Sequence, residues 1–313
     1  MAKYRDALPQ LKDGLFITDA GLETVLIFHQ GMDLPLFAAF PLLNDAKGRE
    51  TLFQYYSTYA RLAVEHKAGL VLESVTWRAS SGWADQLGYS SEALAKINYQ
   101  AIELLSKVRD TYENEKSPMV ISGCIGPRGD GYSPSHIMNE ETARDYHSVQ
   151  IESFVKTDAD FVSAFTMNYL EEALGIVQAA KEAAMPVVIS FTVETDGKLP
   201  SGLSLKEAIT EVDERTNNGP AYYMLNCAHP THFSDVLKDQ EPWIKRIRGL
   251  RSNASKMSHA ELDNAEELDD GNPKEFGAQY KELLGLLDQI NVVGGCCGTD
   301  ERHIEEICKA FAP

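Results

Sequence analysis

The sequence predicts an α/β chain folded as a single-domain (β/α)8 barrel of the TIM-barrel class over residues 1–313. Three observations point there. Eight short apolar runs are spaced along the chain. Helical apolar patterns lie between them. A length of 313 residues with 43% hydrophobic content suits one barrel with a large core. Short apolar runs bounded by breakers are the pattern of strands buried on both faces, and their alternation with helices calls for a parallel sheet. A doubly wound open sheet is the competing arrangement.

The expected strands fall at residues 15–18, 70–73, 119–122, 161–164, 187–190, 222–225, 247–250 and 291–294. Between the first two, residues 49–66 place Leu52, Tyr56, Tyr59 and Leu62 on one helical face. Residues 91–109 do the same with Leu94, Ile97, Ala101, Leu105 and Val108. Ser204 followed by Glu207 is a capping box that opens a helix carrying Ala208, Ile209 and Val212. Pro273 suits a helix start ahead of Phe276, Tyr280, Leu283 and Leu287, and Asp300 can cap a last helix bearing Ile304, Ile307 and Phe311. The longest irregular stretch, 251–273, is acidic (Glu261, Asp263, Glu266, Glu267, Asp269, Asp270). It reads as a solvated insertion or, through His259 and Glu261, as a cover over the site.

Bulk charge narrows the partners. With 29 basic and 47 acidic residues the formal charge is −18, which repels nucleic acid and anionic membrane surfaces. No apolar stretch approaches the roughly 20 residues of a bilayer span, and no apolar run follows the N-terminus. Five cysteines, two of them adjacent, make a poor disulfide framework. The expectation is a cytoplasmic protein with reduced thiols, monomeric or homodimeric, whose partners are small molecules.

The chemistry gathers at strand ends, where barrels of this class build their sites. Cys227 follows the sixth strand, and Cys296 and Cys297 follow the eighth in Gly294-Gly295-Cys296-Cys297-Gly298-Thr299. The two strands have the same parity, so their ends can face one another across the mouth. Three thiols are soft ligands for zinc and leave one position open, the arrangement of a catalytic centre. A thiol entering that position loses its proton and stays nucleophilic near neutral pH, and a methyl group on a cationic sulfur or nitrogen is its natural electrophile. A glycine-rich loop after the eighth strand also suits a phosphate; that reading explains Gly294, Gly295 and Gly298 and leaves the two cysteines unexplained. Cys124 and Cys308 read as small apolar residues.

Asn226-Cys227, the Gly294–Thr299 loop and the opening Thr18-Asp19-Ala20-Gly21 resemble the zinc-dependent homocysteine S-methyltransferases. That family includes the betaine–homocysteine and S-methylmethionine–homocysteine enzymes and the homocysteine domain of cobalamin-dependent methionine synthase. Ser122–Pro127 resembles its glycine-proline turn after the third strand, and Thr76-Trp77-Arg78-Ala79-Ser80 its aromatic loop after the second. The resemblance implies zinc held by Cys227, Cys296 and Cys297, and methyl transfer to homocysteine giving methionine. It places Asp19 and Gly21 at the homocysteine end, Thr76 and Trp77 in the substrate loop, and Asn226 beside the metal facing substrate.

Two departures stand out. The family's Asp-Gly-Gly opening is Asp19-Ala20-Gly21 here, and its glutamate after the fourth strand is absent from Ala164-Phe165-Thr166-Met167-Asn168. Glu171 and Glu172 read as helix surface, which leaves Glu194, after the fifth strand, as the substitute that would bind the acceptor's amino group. For the donor, onium methyl groups favour aromatic faces, and Trp77, Trp83, Tyr132 and Tyr169 are candidates, with Glu73 and Asp130 adding negative field. S-methylmethionine, S-adenosylmethionine, betaine and dimethylsulfoniopropionate all fit. A barrel enzyme for a phosphorylated substrate and a non-catalytic zinc or thiol-binding relative are the competing functions.

Overall fold

The computed structural model describes residues 2–311 apart from 13, 135, 136, 240 and 266, so Glu266 of the acidic stretch lies outside the described residues. Eight parallel strands close into a barrel in sequence order: β1 (Phe16–Ile17), β2 (Gly69–Glu73), β3 (Met119–Ile125), β4 (Phe161–Met167), β5 (Val187–Phe191), β6 (Tyr223–Asn226), β7 (Ile247–Ser252) and β8 (Val292–Gly295). Every expected strand is present. Closure between β8 and β1, with Phe16 opposite Val292, excludes the open doubly wound sheet.

Alternate residues split the apolar set in two. Phe16, Val71, Val120, Phe161, Val188, Tyr222, Met224 and Val292 form one buried cluster, with Leu8 packed among them. Ile17, Leu70, Leu72, Ile121, Val162, Ile189, Leu225, Leu250 and Val293 belong to a second cluster shared with the helices. Two apolar faces per strand explain the unbroken apolar runs in the sequence.

The helix Ala46–His66 starts three residues before the expected 49 because the Asp45 carboxylate accepts from the Gly48 amide at 2.8 Å. Ser91–Tyr112, Leu205–Thr216, Pro273–Leu286 and Glu301–Phe311 follow the sequence reading, and the Ser204–Glu207 capping box is formed. Two helices not singled out in the sequence, Glu140–Val155 and Leu170–Glu182, fill the connections after β3 and β4. The link from β6 to β7 has no long helix; the short turns Pro230–Phe233, Val236–Lys238 and Pro242–Arg246 seal it with buried Phe233, Leu237 and Ile244. No helix among the described residues is long and apolar enough to cross a membrane.

One surface assignment is corrected here. Glu172 is fully buried: its Oε1 meets His147 Nε2 at 2.9 Å and accepts from the Arg128 amide at 2.8 Å. It ties the loop after β3 to the outer helices rather than facing solvent.

Candidate active site

The C-terminal ends of the strands bring Cys227, Cys296 and Cys297 together, their sulfurs all within 4.8 Å of one another. Cys227 Sγ lies 3.8 Å from Cys297 Sγ and 2.6 Å from Cys296 Sγ. A tetrahedral zinc with bonds of ~2.3 Å has a sulfur–sulfur edge of about 3.8 Å, so the longer spacing already has the right size. Hydrogen bonds from Cys296 and Cys297 hold the Cys227 thiol well below its ordinary pKa, and the same contact pushes Cys296 up to about 12.

Local backbone geometry creates this convergence. Cys227 sits at φ 55° and Thr166, at the end of β4, at φ 63°, the left-handed region that branched residues avoid. The β4–β5 register shifts between Ala164 and Met167, a bulge that re-aims Phe165 and Thr166 into the mouth. Asn226 holds the bulge: its Oδ1 accepts from Thr166 N at 2.9 Å and Ser190 Oγ at 2.6 Å, and its Nδ2 donates to Thr166 Oγ1 at 2.9 Å. The glycines of the Gly294–Gly298 loop are demanded by contact. A Cβ on Gly294 would collide with Thr18 Oγ1, and Gly298 has φ 79°.

The loop offers few amides to a phosphate, because Gly295 N is spent on Asp19 O, Cys296 N on Ser252 O, Gly298 N on Thr24 Oγ1 and Thr299 N on Cys296 O.

A cavity open at the mouth adjoins the thiols. Of the residues expected from the sequence it takes Asp19, Gly21, Trp77, Asn226 and the three cysteines as lining. Gly21 is held against the Gly294–Gly298 loop, since a Cβ there would stand 2.5 Å from Cys296 O. Asp19 is buried and paired: Arg251 Nη2 meets its Oδ1 at 2.7 Å, and the Tyr55 hydroxyl donates to its Oδ2 at 3.1 Å. Thr76 does not line the cavity; its hydroxyl donates to Cys124 O at 2.7 Å and fastens the loop after β2. Glu194 is outside it too, with Oε1 3.1 Å from His259 Nδ1, while His259 Nε2 lies 2.6 Å from Cys227 O.

The remaining walls hold charge: Glu73, expected from the sequence to add negative field for the donor, and Glu23 and Arg251, which the sequence reading did not single out. Glu23 and Glu73 line the cavity, and burial pushes both carboxyls up to about 7. Glu73 Oε2 accepts from Ser163 Oγ at 2.5 Å. Arg251, at the end of β7, is the cavity's cation and lies 5.0 Å from the Phe165 ring. A strand-end position was the available signal for Arg251, and the short step from Asp19 was the signal for Glu23.

The stretch after β7 packs against Cys227 and Tyr132. His259 is buried, stacked 3.9 Å from Tyr132, at the head of the short helix His259–Asp263. Tyr132 also helps hold the Cys227 thiol below its ordinary pKa. His259 therefore braces Tyr132 and Cys227 without lining the cavity, and Glu261 spends its carboxylate capping that helix at Ser258. The tryptophan cage is not open to a ligand cation: the Arg78 guanidinium already lies 4.1 Å from the Trp77 ring and 3.6 Å from the Trp83 ring. Tyr169 is buried and does not line the cavity, its hydroxyl accepting from Met138 N at 3.3 Å.

Comparison with known proteins supplies the relatives. A family model described as homocysteine S-methyltransferase matches residues 16–311. Betaine–homocysteine S-methyltransferase 1 of Rattus norvegicus is 25% identical over 266 residues, and that of Bos taurus 24%, each covering 78% of this chain. The chain spans 61% of the length of these curated relatives. Among solved structures, the oxidized form of the homocysteine methyltransferase MmuM from Escherichia coli superposes with a TM-score of 0.76 at 17% identity, over 99% of this chain and 100% of that one. Its metallated form gives 0.75 at 15% identity, over 97% and 98%. These likenesses carry the barrel fold.

Proposed function

The chain belongs to the homocysteine S-methyltransferase family, and on that footing we propose that it moves a methyl group from a sulfonium or ammonium donor to homocysteine, giving methionine, with zinc held by Cys227, Cys296 and Cys297. The observation that carries this reading is the meeting of three thiols from two strand ends on a cavity walled by buried carboxylates. Sulfur ligands alone, with three of four tetrahedral positions filled, suit zinc. When bound, zinc would supply an open position at which an incoming thiol is a thiolate at neutral pH.

The chain's own residues do the rest. Glu73 and Glu23 are the carboxylates placed to hold the acceptor's ammonium, in place of the family's strand-four glutamate and of Glu194, which is engaged by His259. Arg251, braced by Asp19, faces the same cavity and suits the acceptor's carboxylate. Asn226 fixes the bulge that sets Phe165 and Thr166 against the acceptor. In the transfer, the acceptor sulfur gives its proton to solvent and its electron pair forms the new S–C bond. The pair of the broken methyl–onium bond stays with the donor heteroatom, which leaves neutral. The protein's contribution is to hold the two reactants in line. We assign it to the cytoplasm as a monomer or homodimer, in keeping with its five free cysteines.

The test is a donor panel of S-methylmethionine, S-adenosylmethionine, betaine and dimethylsulfoniopropionate with zinc-loaded protein and homocysteine, read as methionine by mass spectrometry. Methionine formation that disappears in Cys227→Ser and Cys296→Ser supports the proposal. No methionine from any donor favours a non-catalytic relative.

A further inference from the structure

A second cavity, open to solvent, adjoins the first and shares Thr24, Phe37, Trp77, Tyr132 and Cys297 with it. Arg78 lines it. The arginine is 8% exposed and held between two tryptophan rings, an arrangement that fixes a guanidinium plane and leaves its edge for hydrogen bonding. That edge is nearly unused. Nη1 donates to Gly129 O at 3.2 Å, and Nε is buried with no acceptor among the described residues. The nearby carboxylate of Asp130 acts on Arg78 through space but makes no ion pair with it among the described residues, and its Oδ1 accepts from the amides of Tyr132 and Ser133 at 2.8 and 2.9 Å. A buried guanidinium with unfilled donors is costly unless an anion completes it.

The geometry points to the outer cavity as the methyl-donor site, with Arg78 binding a carboxylate on the donor. The inference rests on the methyl-transfer reading for the word donor, and on Arg78 for the carboxylate. The ligand class is an onium zwitterion: its cationic methyl-bearing centre lies toward Cys297 and Tyr132, where Glu267 and Asp269 add negative field, and its carboxylate pairs with the arginine fork. Trp77 and Trp83 thus serve the donor indirectly, by positioning Arg78 rather than by caging the onium.

Calorimetric titration of the zinc-loaded protein without homocysteine tests this, because no turnover is needed. The probes are two matched pairs: dimethylsulfoniopropionate against ethyldimethylsulfonium, and glycine betaine against tetramethylammonium. The carboxylate member of each pair is expected to bind at least about tenfold tighter, the size of one charge-assisted hydrogen bond. Arg78→Met should remove that preference while leaving zinc content and homocysteine binding unchanged, and Arg78→Lys should restore part of it. Equal binding within each pair, absence of binding by all four probes, or equal weakening of both members in Arg78→Met would overturn the inference. Because the wild-type comparison needs no variant, a poorly folding Arg78→Met leaves the test intact. A protein that shows the preference but makes no methionine would fail the transfer reading and keep the carboxylate site.

Discussion

Asn226→Ala is expected to loosen the mouth of the barrel at one identifiable joint. Asn226 is 2% exposed and makes three side-chain hydrogen bonds, two to Thr166 and one to Ser190. Each buried bond is worth about 1 kcal/mol, and losing them strands the Thr166 amide at a residue already held in left-handed backbone. The expected loss is about 3 kcal/mol. With a urea dependence of about 3 kcal/mol per molar for a chain of this size, the unfolding midpoint of the metal-free, reduced protein should fall by about 1 M. Ser190→Ala removes one of the three bonds and should cost about a third as much. Activity should fall further than stability, because Phe165 and Cys227 flank the same joint in space. A midpoint loss in Asn226→Ala no larger than that in Ser190→Ala would refute the assignment of Asn226 as the tie between β4 and β6.

Two other outcomes follow from the same geometry. Burial raises the Glu23 and Glu73 carboxyls from the usual 4.5 to about 7, so the folded protein holds protons that the unfolded chain releases between those values. These groups therefore favour the fold toward pH 5 and disfavour it above pH 7, and Glu73→Gln should flatten the dependence by about one proton, measured by urea unfolding of metal-free protein at pH 5.5, 6.5 and 7.5. The same variant should raise the KM for homocysteine more than that for the donor. Gly294→Ala forces a methyl group into Thr18 and should cost at least about 2 kcal/mol and lower metal content, checked by thermal unfolding and zinc analysis.

The legible parts of this protein were those written in residue types. Two-faced apolar runs gave the strands, and three rare thiols gave the thiol cluster, because the class of fold dictates where strand ends meet. Conformation was less visible. Threonine is an ordinary strand residue, so nothing in the chain announced that Thr166 would sit at φ 63° or that Asn226 would hold it there. Glu172 beside Glu171 looked like the polar first turn of a helix, but His147, 25 residues earlier, draws it inside. Arg78 lies in the aromatic loop that was read as a cation cage, and only the folded loop reveals that the arginine itself fills the cage. Arg251 escaped notice because the apolar run of its strand ends one residue before it.

The central claim is that an acceptor thiol completes a site made by Cys227, Cys296 and Cys297. Zinc-edge X-ray absorption of the loaded protein, with and without homocysteine, addresses it directly. The account expects three sulfur neighbours at about 2.3 Å and one lighter neighbour in the free protein, becoming four sulfurs when homocysteine is added. A spectrum unchanged by homocysteine, or fewer than three sulfurs at the start, would contradict it.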